Sequence, residues 1–369
     1  MTGPSAAPAS SPDIRLAMAR AVGDDRNGRL AIVGVGAMGG SIVSGLIASG
    51  WPADRLIAID SDGARLEQLG KQFGVAASPV VGDALGAEAI ILAVKPHQIE
   101  AAIAELGLAL AGQPRQAAAP TACTPRLLMS IAAGVELGSL DQLVRKHWPG
   151  VTVGAEPDQA GQSQTNPATG DCATGDCVVP DPDQTGQAPA GEASGQSAIA
   201  GNKAAMQLIR IMPNVAASVR QSMTAVCASS AGREYAQVDG VTMAKRVFSA
   251  VGQVAVIDES QMDAFTALAG SGPAAVLYLA EAMIDAGVLG GLPRSLAATL
   301  VDQTLFGTAS LWHLSDDHPT LIKERVTSPG GTTIAGLAAL EEHGVKAGVV
   351  AGVEAARRRS SALRRASQA

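Results

Sequence analysis

A glycine pattern near the start of the chain, Gly34-Val35-Gly36-Ala37-Met38-Gly39, leaves few folds open to it. The β-branched run LAIV precedes it, and an apolar helical stretch, Met38 to Ser49, follows. A second run, RLIAID (55–60), closes on Asp60, about 20 residues past Gly39. Each glycine has a physical reason to be there. The first makes a tight turn, the second lets backbone N–H groups approach a pyrophosphate, and the third allows a helix to pack closely on its strand. An anion then rests at the positive end of that helix. Strand, turn, helix and acid together point to a dinucleotide site at Gly34, Gly36 and Gly39.

The pattern continues beyond that unit. Ala64–Phe73 reads as a helix, and AIILAV (89–94) and RLLMSIAAG (126–134) as buried strands. LIRIMPN, MTAVCAS and VGQVAVID are further strand candidates from Leu208 onward. Short apolar strands alternating with helices predict a doubly wound parallel sheet covered on both faces. Asp60 would accept hydrogen bonds from an adenosine ribose and repel a 2′-phosphate. Ser61 beside it can donate to a phosphate, and Arg65 lies one helical turn away. Taken alone, this pair favours NADH over NADPH.

After Asp258 the character turns helical. Phe265–Gly290 is apolar on nearly every face and is interrupted at Gly270-Ser271-Gly272-Pro273. Pro293 reads as a first-turn proline. The helix from Arg294 to about His313 carries Leu296, Leu300, Val301, Leu305, Leu311 and Trp312 in a broad stripe. Helices this apolar must be buried in a large helical core or against a second subunit. Aromatic residues make up only 2% of the chain, so closely packed small side chains, and an interlocked homodimer, are the expectation.

Composition excludes several classes. The net charge of −7 and the shortage of aromatic stacking platforms argue against a nucleic-acid binder. Residues 151–200 hold seven acids and no Lys or Arg. That segment, within 150–205, is Gly-, Gln-, Asp- and Thr-rich and has little to bury, so it reads as a disordered acidic insert. Residues 1–28 read as a flexible leader without the basic-then-apolar order of a signal peptide. The uncharged run Leu30–Trp51 is long enough to span a bilayer, but its clustered glycines fit strand, turn and helix better. A soluble, cytoplasmic protein is expected, with domains at 29–257 and 258–369. Four cysteines make no disulfide framework, and neither they nor the histidines have metal-ligand spacing, so no metal is expected. His97, in Lys95-Pro96-His97 after a strand, is assigned no role.

One late motif remains. Thr327-Ser328-Pro329-Gly330-Gly331-Thr332-Thr333 leads into a helix read as Ile334–Glu342. Glycines and hydroxyls ahead of a helix make a nest of backbone N–H groups suited to a small carboxylate. A dinucleotide and a small acid are the two ligands these anion sites imply.

With IVGVGAMGGSIVSGLIASG (32–50), AVKP (93–96), SIAAGV (130–135), RIMPN (210–214), AGSGPA (269–274), EAMIDAGVLGGLPR (281–294) and SPGGTTI (328–334), the chain resembles the pyrroline-5-carboxylate reductases. The last three motifs are more specific than the glycine fingerprint. The resemblance covers about 30–150 and 207–360. It implies an N-terminal Rossmann-like α/β domain, an all-α C-terminal dimerisation domain, and homodimers that often assemble into decamers. It also implies reduction of 1-pyrroline-5-carboxylate to L-proline with hydride from NADPH or NADH. On the same resemblance Gly34, Gly36, Ala37, Met38 and Gly39 hold the pyrophosphate, Lys95 and Pro96 line the nucleotide cleft, and Asn214 lies near the nicotinamide. Ser328, Gly330 and Gly331 hold the substrate carboxylate, and Thr333 hydrogen-bonds the ring nitrogen as the catalytic donor. Two departures stand out: Asp60, where many members carry a neutral or hydroxyl residue, and the acidic insert. A 3-hydroxyacid dehydrogenase-like enzyme is the alternative, with Lys245 its one candidate lysine in what reads as a surface helix. A non-catalytic nucleotide sensor of the same fold is the other.

Overall fold

The structure is a computed structural model that describes residues 28–112, 127–151, 153, 206–228 and 240–366. The predicted leader and acidic insert lie almost wholly outside these residues, as do Cys123, Cys172 and Cys177.

Eight strands form one sheet: β1 (Leu30–Val33), β2 (Leu56–Ile59), β3 (Ala76–Ser78), β4 (Ala89–Leu92), β5 (Leu127–Ser130), β6 (Gln207–Met212), β7 (Ser222–Ala228) and β8 (Gly252–Val256). Their order is β3-β2-β1-β4-β5-β6-β7-β8. Every pairing from β3 through β6 is parallel, with Leu30 opposite both Leu56 and Ala89. The wholly parallel sheet that was expected ends there. β7 runs antiparallel to β6, with Met212 opposite Ala225, and β8 follows β7 in parallel. Only residues 213–221 link β6 to β7, with a short turn at Val215–Val219 and Arg220 left-handed at φ 58°. So short a link cannot carry the crossover that a parallel pair requires. Beyond β5, Val153 also pairs with Met206 in a parallel bridge.

Helices α1 (Ala37–Ala48), α2 (Gly63–Phe73), α3 (Ile99–Ala111), α4 (Leu137–His147) and α5 (Gly240–Ser249) cover the sheet. Every residue of β1, β4 and β5 is buried, as a sheet covered on both faces requires. One core joins Ile32 and Ile91 to Ile42, Leu46 and Phe248. The other joins Val33 and Leu92 to Ile103, Leu140 and Trp148. Trp148 is buried with its indole N–H donated to the Ile103 carbonyl at 2.7 Å, so the largest core side chain leaves no polar atom unmet. α2 starts on Asp62, whose carboxylate accepts from the Ala64 and Arg65 N–H groups, and ends on left-handed Gly74.

The helical half holds α6 (Met262–Phe265), a π-helical turn (Thr266–Gly270), α7 (Gly272–Leu289), α8 (Arg294–His313), α9 (Pro319–Arg325), α10 (Thr332–Glu342) and α11 (Val345–Ala366). The expected interruption at 270–273 falls at Ser271, where the π-turn gives way to α7, and Pro293 caps α8 from just outside it. α10 begins two residues earlier than predicted, at Thr332. These helices bury little in one chain: Ala280 in α7, Ala297 and Val301 in α8, and no residue of α10. Leu277, Tyr278, Phe306 and Trp312 are more than half exposed. The segment Glu259–Leu289 is long and apolar enough to cross a membrane by length and composition alone.

Charged groups fasten the two halves. Arg210 on β6, 4% exposed at its side chain, reaches Glu259 at 3.0 Å. The same carboxylate oxygen accepts the Leu137 N–H at 2.9 Å. Asp263 on α6 accepts from Ser360 at 2.8 Å and Ser361 at 2.6 Å and pairs with Arg364, all on α11. Arg364 also reaches Glu136, at 2.7 Å. The last helix therefore folds back onto its own chain's sheet half.

Candidate dinucleotide and substrate site

Strand order reverses between β1 and β4, and ligands of doubly wound sheets bind outside the carboxyl ends of strands at such a point. Gly34 leaves β1 at φ +92°, its N–H donated to the Ile59 carbonyl at 2.7 Å. A Cβ there would meet Val94 and the Ala93 backbone under 3 Å, and one on Gly39 would strike the Gly34 carbonyl oxygen. Both positions are closed to any larger residue. Gly36 differs: nothing lies within 4 Å of its Cβ position. It caps α1 with no side-chain hydrogen bond, and the first turn carries no acid. The first backbone N–H groups of α1, including those of Ala37, Met38 and Gly39, therefore face an open cradle at a positive helix end, which fits a pyrophosphate.

Lys95 and Pro96 sit at the carboxyl end of β4, joined to β1 by the Ala93 N–H bonded to the Val33 carbonyl at 2.7 Å. Lys95 is exposed at the start of the turn Pro96–Gln98, and His97 is exposed beside it. Asn214 stands at the same sheet edge, after β6. Its Oδ1 accepts the Ala216 N–H at 3.1 Å and its Nδ2 donates to the Ala269 carbonyl at 2.9 Å.

Asp60 and Ser61 follow β2 at this edge, but the carboxylate faces inward. One oxygen of Asp60 accepts the Val35 N–H at 2.8 Å and meets Arg65 at 3.1 Å; the other accepts the Asp62 N–H at 3.0 Å. Its side chain is 11% exposed, against 42% for Arg65. Ser61 is exposed. Arg65, one helical turn on in the sequence, pairs with Asp60 and, at 3.3 Å, with Asp62, which sets a guanidinium between two carboxylates beside the glycine turn.

The late turn is built as its residues imply. Gly330 is left-handed at φ +66°, and the Gly331 N–H bonds the Ser328 carbonyl at 3.1 Å. A Cβ on Gly331 would strike the Ser328 hydroxyl. Gly331 then caps α10 with no side-chain bond, leaving first-turn N–H groups for an anion. Ser328 and Gly330 are exposed, and Thr333, in the first turn, is half-buried. Lys245, the lysine of the alternative reading, is exposed on α5. Among the described residues no cluster of His, Cys, Asp or Glu could hold a metal.

A doubly wound sheet with an open glycine turn at its switch point, joined to an all-helical half, defines the dinucleotide-dependent oxidoreductases as a class. Residues 29–114 match the family described as NADP oxidoreductase coenzyme F420-dependent. Residues 259–363 match the one described as pyrroline-5-carboxylate reductase dimerisation. The pyrroline-5-carboxylate reductase of Synechocystis sp. is 35% identical over 91% of this chain and 98% of its own length. The chain belongs to the pyrroline-5-carboxylate reductase family. The Arabidopsis thaliana relative is 30% identical over 91% of this chain and 95% of its own. Among solved structures, the Coxiella burnetii pyrroline-5-carboxylate reductase superposes with a TM-score of 0.67 at 24% identity, covering 92% of this chain and 99% of that one. The Plasmodium falciparum enzyme, solved with NADP bound, gives 0.61 at 23% identity over 91% and 97%. Both likenesses show the shared fold.

Proposed function

We propose that this chain reduces 1-pyrroline-5-carboxylate to L-proline with NADPH or NADH, the last step of proline biosynthesis. The observation that carries the reading is the likeness to a pyrroline-5-carboxylate reductase over nearly the whole of both chains, with the glycine cradle intact at the switch point.

A reduced dinucleotide whose pyrophosphate lay in the cradle would supply the hydride. The residues of the chain do the rest. Gly34, Gly36, Ala37, Met38 and Gly39 hold the pyrophosphate, and Lys95 and Pro96 line the cleft. The N–H groups around Ser328, Gly330 and Gly331 hold the substrate carboxylate and so orient the ring. A cyclic imine accepts hydride poorly until its nitrogen is protonated or hydrogen-bonded. Thr333, a half-buried residue in the first turn of α10, offers its Oγ1 hydroxyl as the donor to that nitrogen.

The division at 257/258 follows the end of the sheet at Val256 and the start of the helices. The apolar helices left bare in one chain support a homodimer, with a decamer as its larger assembly. Pairing with a second copy, in a cytoplasmic protein, accounts for the apolar segment Glu259–Leu289 without a membrane. The acidic surplus speaks against nucleic acid as a partner.

The test is oxidation of NADH and NADPH in parallel, with and without 1-pyrroline-5-carboxylate. Imine-dependent oxidation with formation of proline is expected. Turnover with a 3-hydroxyacid and none with the imine sinks the proposal.

A further inference from the structure

The motif 269–274 contains a local defect in the helical hydrogen-bond ladder, and Asn214 repairs it. In an α-helix the Ala269 carbonyl accepts from the residue four places on. That residue is Pro273, which has no N–H. The backbone answers with the π-turn Thr266–Gly270, in which Ser271 N–H bonds Thr266 at 2.9 Å, while Ala274 N–H turns back to Ser271 at 3.1 Å. A donor from another element reaches the Ala269 carbonyl: Asn214 Nδ2, at 2.9 Å.

Asn214 is itself held on three sides. Its N–H donates to Ser222 Oγ at 3.1 Å, and that hydroxyl is bonded to Thr224 at 3.1 Å in the buried start of β7. Its Oδ1 caps the turn that begins at Val215. A Cβ at Gly270 would lie 3.2 Å from Met212 Cε, so the π-turn also packs close to the end of β6. The carboxyl edge of the sheet, which carries the dinucleotide cradle, is thereby joined to the helix that opens the helical half. π-Turns inside helices gather at functional sites, where they re-aim the backbone.

We infer that Asn214 is a positioning residue: its carboxamide joins the nucleotide edge to the π-turn and sets where the helical half stands over the cofactor, rather than serving as a nicotinamide ligand. The role rests on the imine-reductase reading above. A misplacement of about 1 Å in such a relation costs up to roughly a hundredfold in rate.

Asn214→Ser keeps an N-cap acceptor for Ala216 but is too short to reach Ala269. Pro273→Ala restores an N–H four places beyond Ala269. The expected result is a fall in kcat of about tenfold or more for Asn214→Ser, with the Kd for NADPH little changed. In the double variant Asn214→Ser/Pro273→Ala, kcat recovers. Amide hydrogen exchange at 270–274 should quicken in the single variant and slow again in the double one. If Asn214→Ser instead weakens NADPH binding with no recovery in the double variant, the residue is a cofactor ligand and the inference is wrong. Unchanged kcat and exchange also overturn it. Should Asn214→Ser fail to fold, the double variant must fold, or the inference falls. A wild-type chain that ignores the imine defeats the functional reading alone, since the exchange measurement still decides the link.

Discussion

Asp60 accepts the backbone N–H of Val35 at 2.8 Å, across the two strand ends that form the nucleotide cleft. The acid that in this fold usually meets the ribose thus pins the middle of the glycine turn, and the same oxygen is paired with Arg65. Asp60→Ala should weaken NADH and NADPH alike, by about tenfold each, the scale of one charged hydrogen bond. An acid that only read the ribose would affect NADH alone. Arg65→Ala should reduce kcat/KM for NADPH more than for NADH, because a guanidinium beside the glycine turn favours a 2′-phosphate. Steady-state kinetics with both cofactors separate the two readings.

The second and third glycines of the turn answer differently to a methyl group. Gly36→Ala has room and an ordinary φ of −64°, so the melting temperature should hold while cofactor affinity falls as the methyl group occupies the cradle. Gly39→Ala drives a carbon into the Gly34 carbonyl and should lower the melting temperature, with a cost of about 1–3 kcal/mol. Equal melting temperatures for the two variants would contradict this geometry.

Thr333→Ala should cut kcat by about a hundredfold, within the range for loss of a positioned donor, and leave the Kd for NADPH almost unchanged. Thr333→Ser should retain most of the rate. A matching loss in cofactor affinity would move Thr333 out of the proposed role.

Asp263 gives a pH dependence of known sign. Burial alone pushes its pKa up, but hydrogen bonds from Ser361 and Ser360 and the nearby charges of Arg364 and Arg210 hold the carboxylate below its ordinary value of 3.8. The unfolded chain then takes up this proton first as acid is added. The stability it contributes is present above the ordinary value and is lost as pH falls through the folded one. Glu136 and Glu259 share the junction, so the test is Asp263→Asn. Thermal melts from pH 7 down to 3 should show a smaller acid-dependent loss in that variant than in the parent.

Local rules carried much of the sequence reading. The glycine turn was legible because tight φ values and close approaches depend on residues a few places apart. The apolar helices were legible as unfinished surfaces, and one chain does leave Leu300 and Trp312 about half exposed. What stayed hidden depends on distance along the chain. Pro273 announces a break in a helix, but nothing nearby shows that Asn214, 55 residues before Ala269, mends it. The bond from Ser361 to Asp263 spans 98 residues. Whether Asp60 points inward or at a ribose is a matter of side-chain direction, which spacing does not encode. The reversal at β7 followed from a short link whose left-handed residue, Arg220, is not a glycine and gave no signal.

Val153 and Met206, which bracket the acidic stretch, are bridged side by side in the same direction. Neighbouring strands stand about 4.8 Å apart, so the chain departs and returns at almost one point on the sheet. What lies between can lengthen, shorten or be exchanged without moving β5 against β6, because closing a longer loop costs only slowly more. Replacing 156–203 with about 20 Gly and Ser residues, enough for a parallel crossover, should leave proline formation intact. The same doorway would admit a foreign domain.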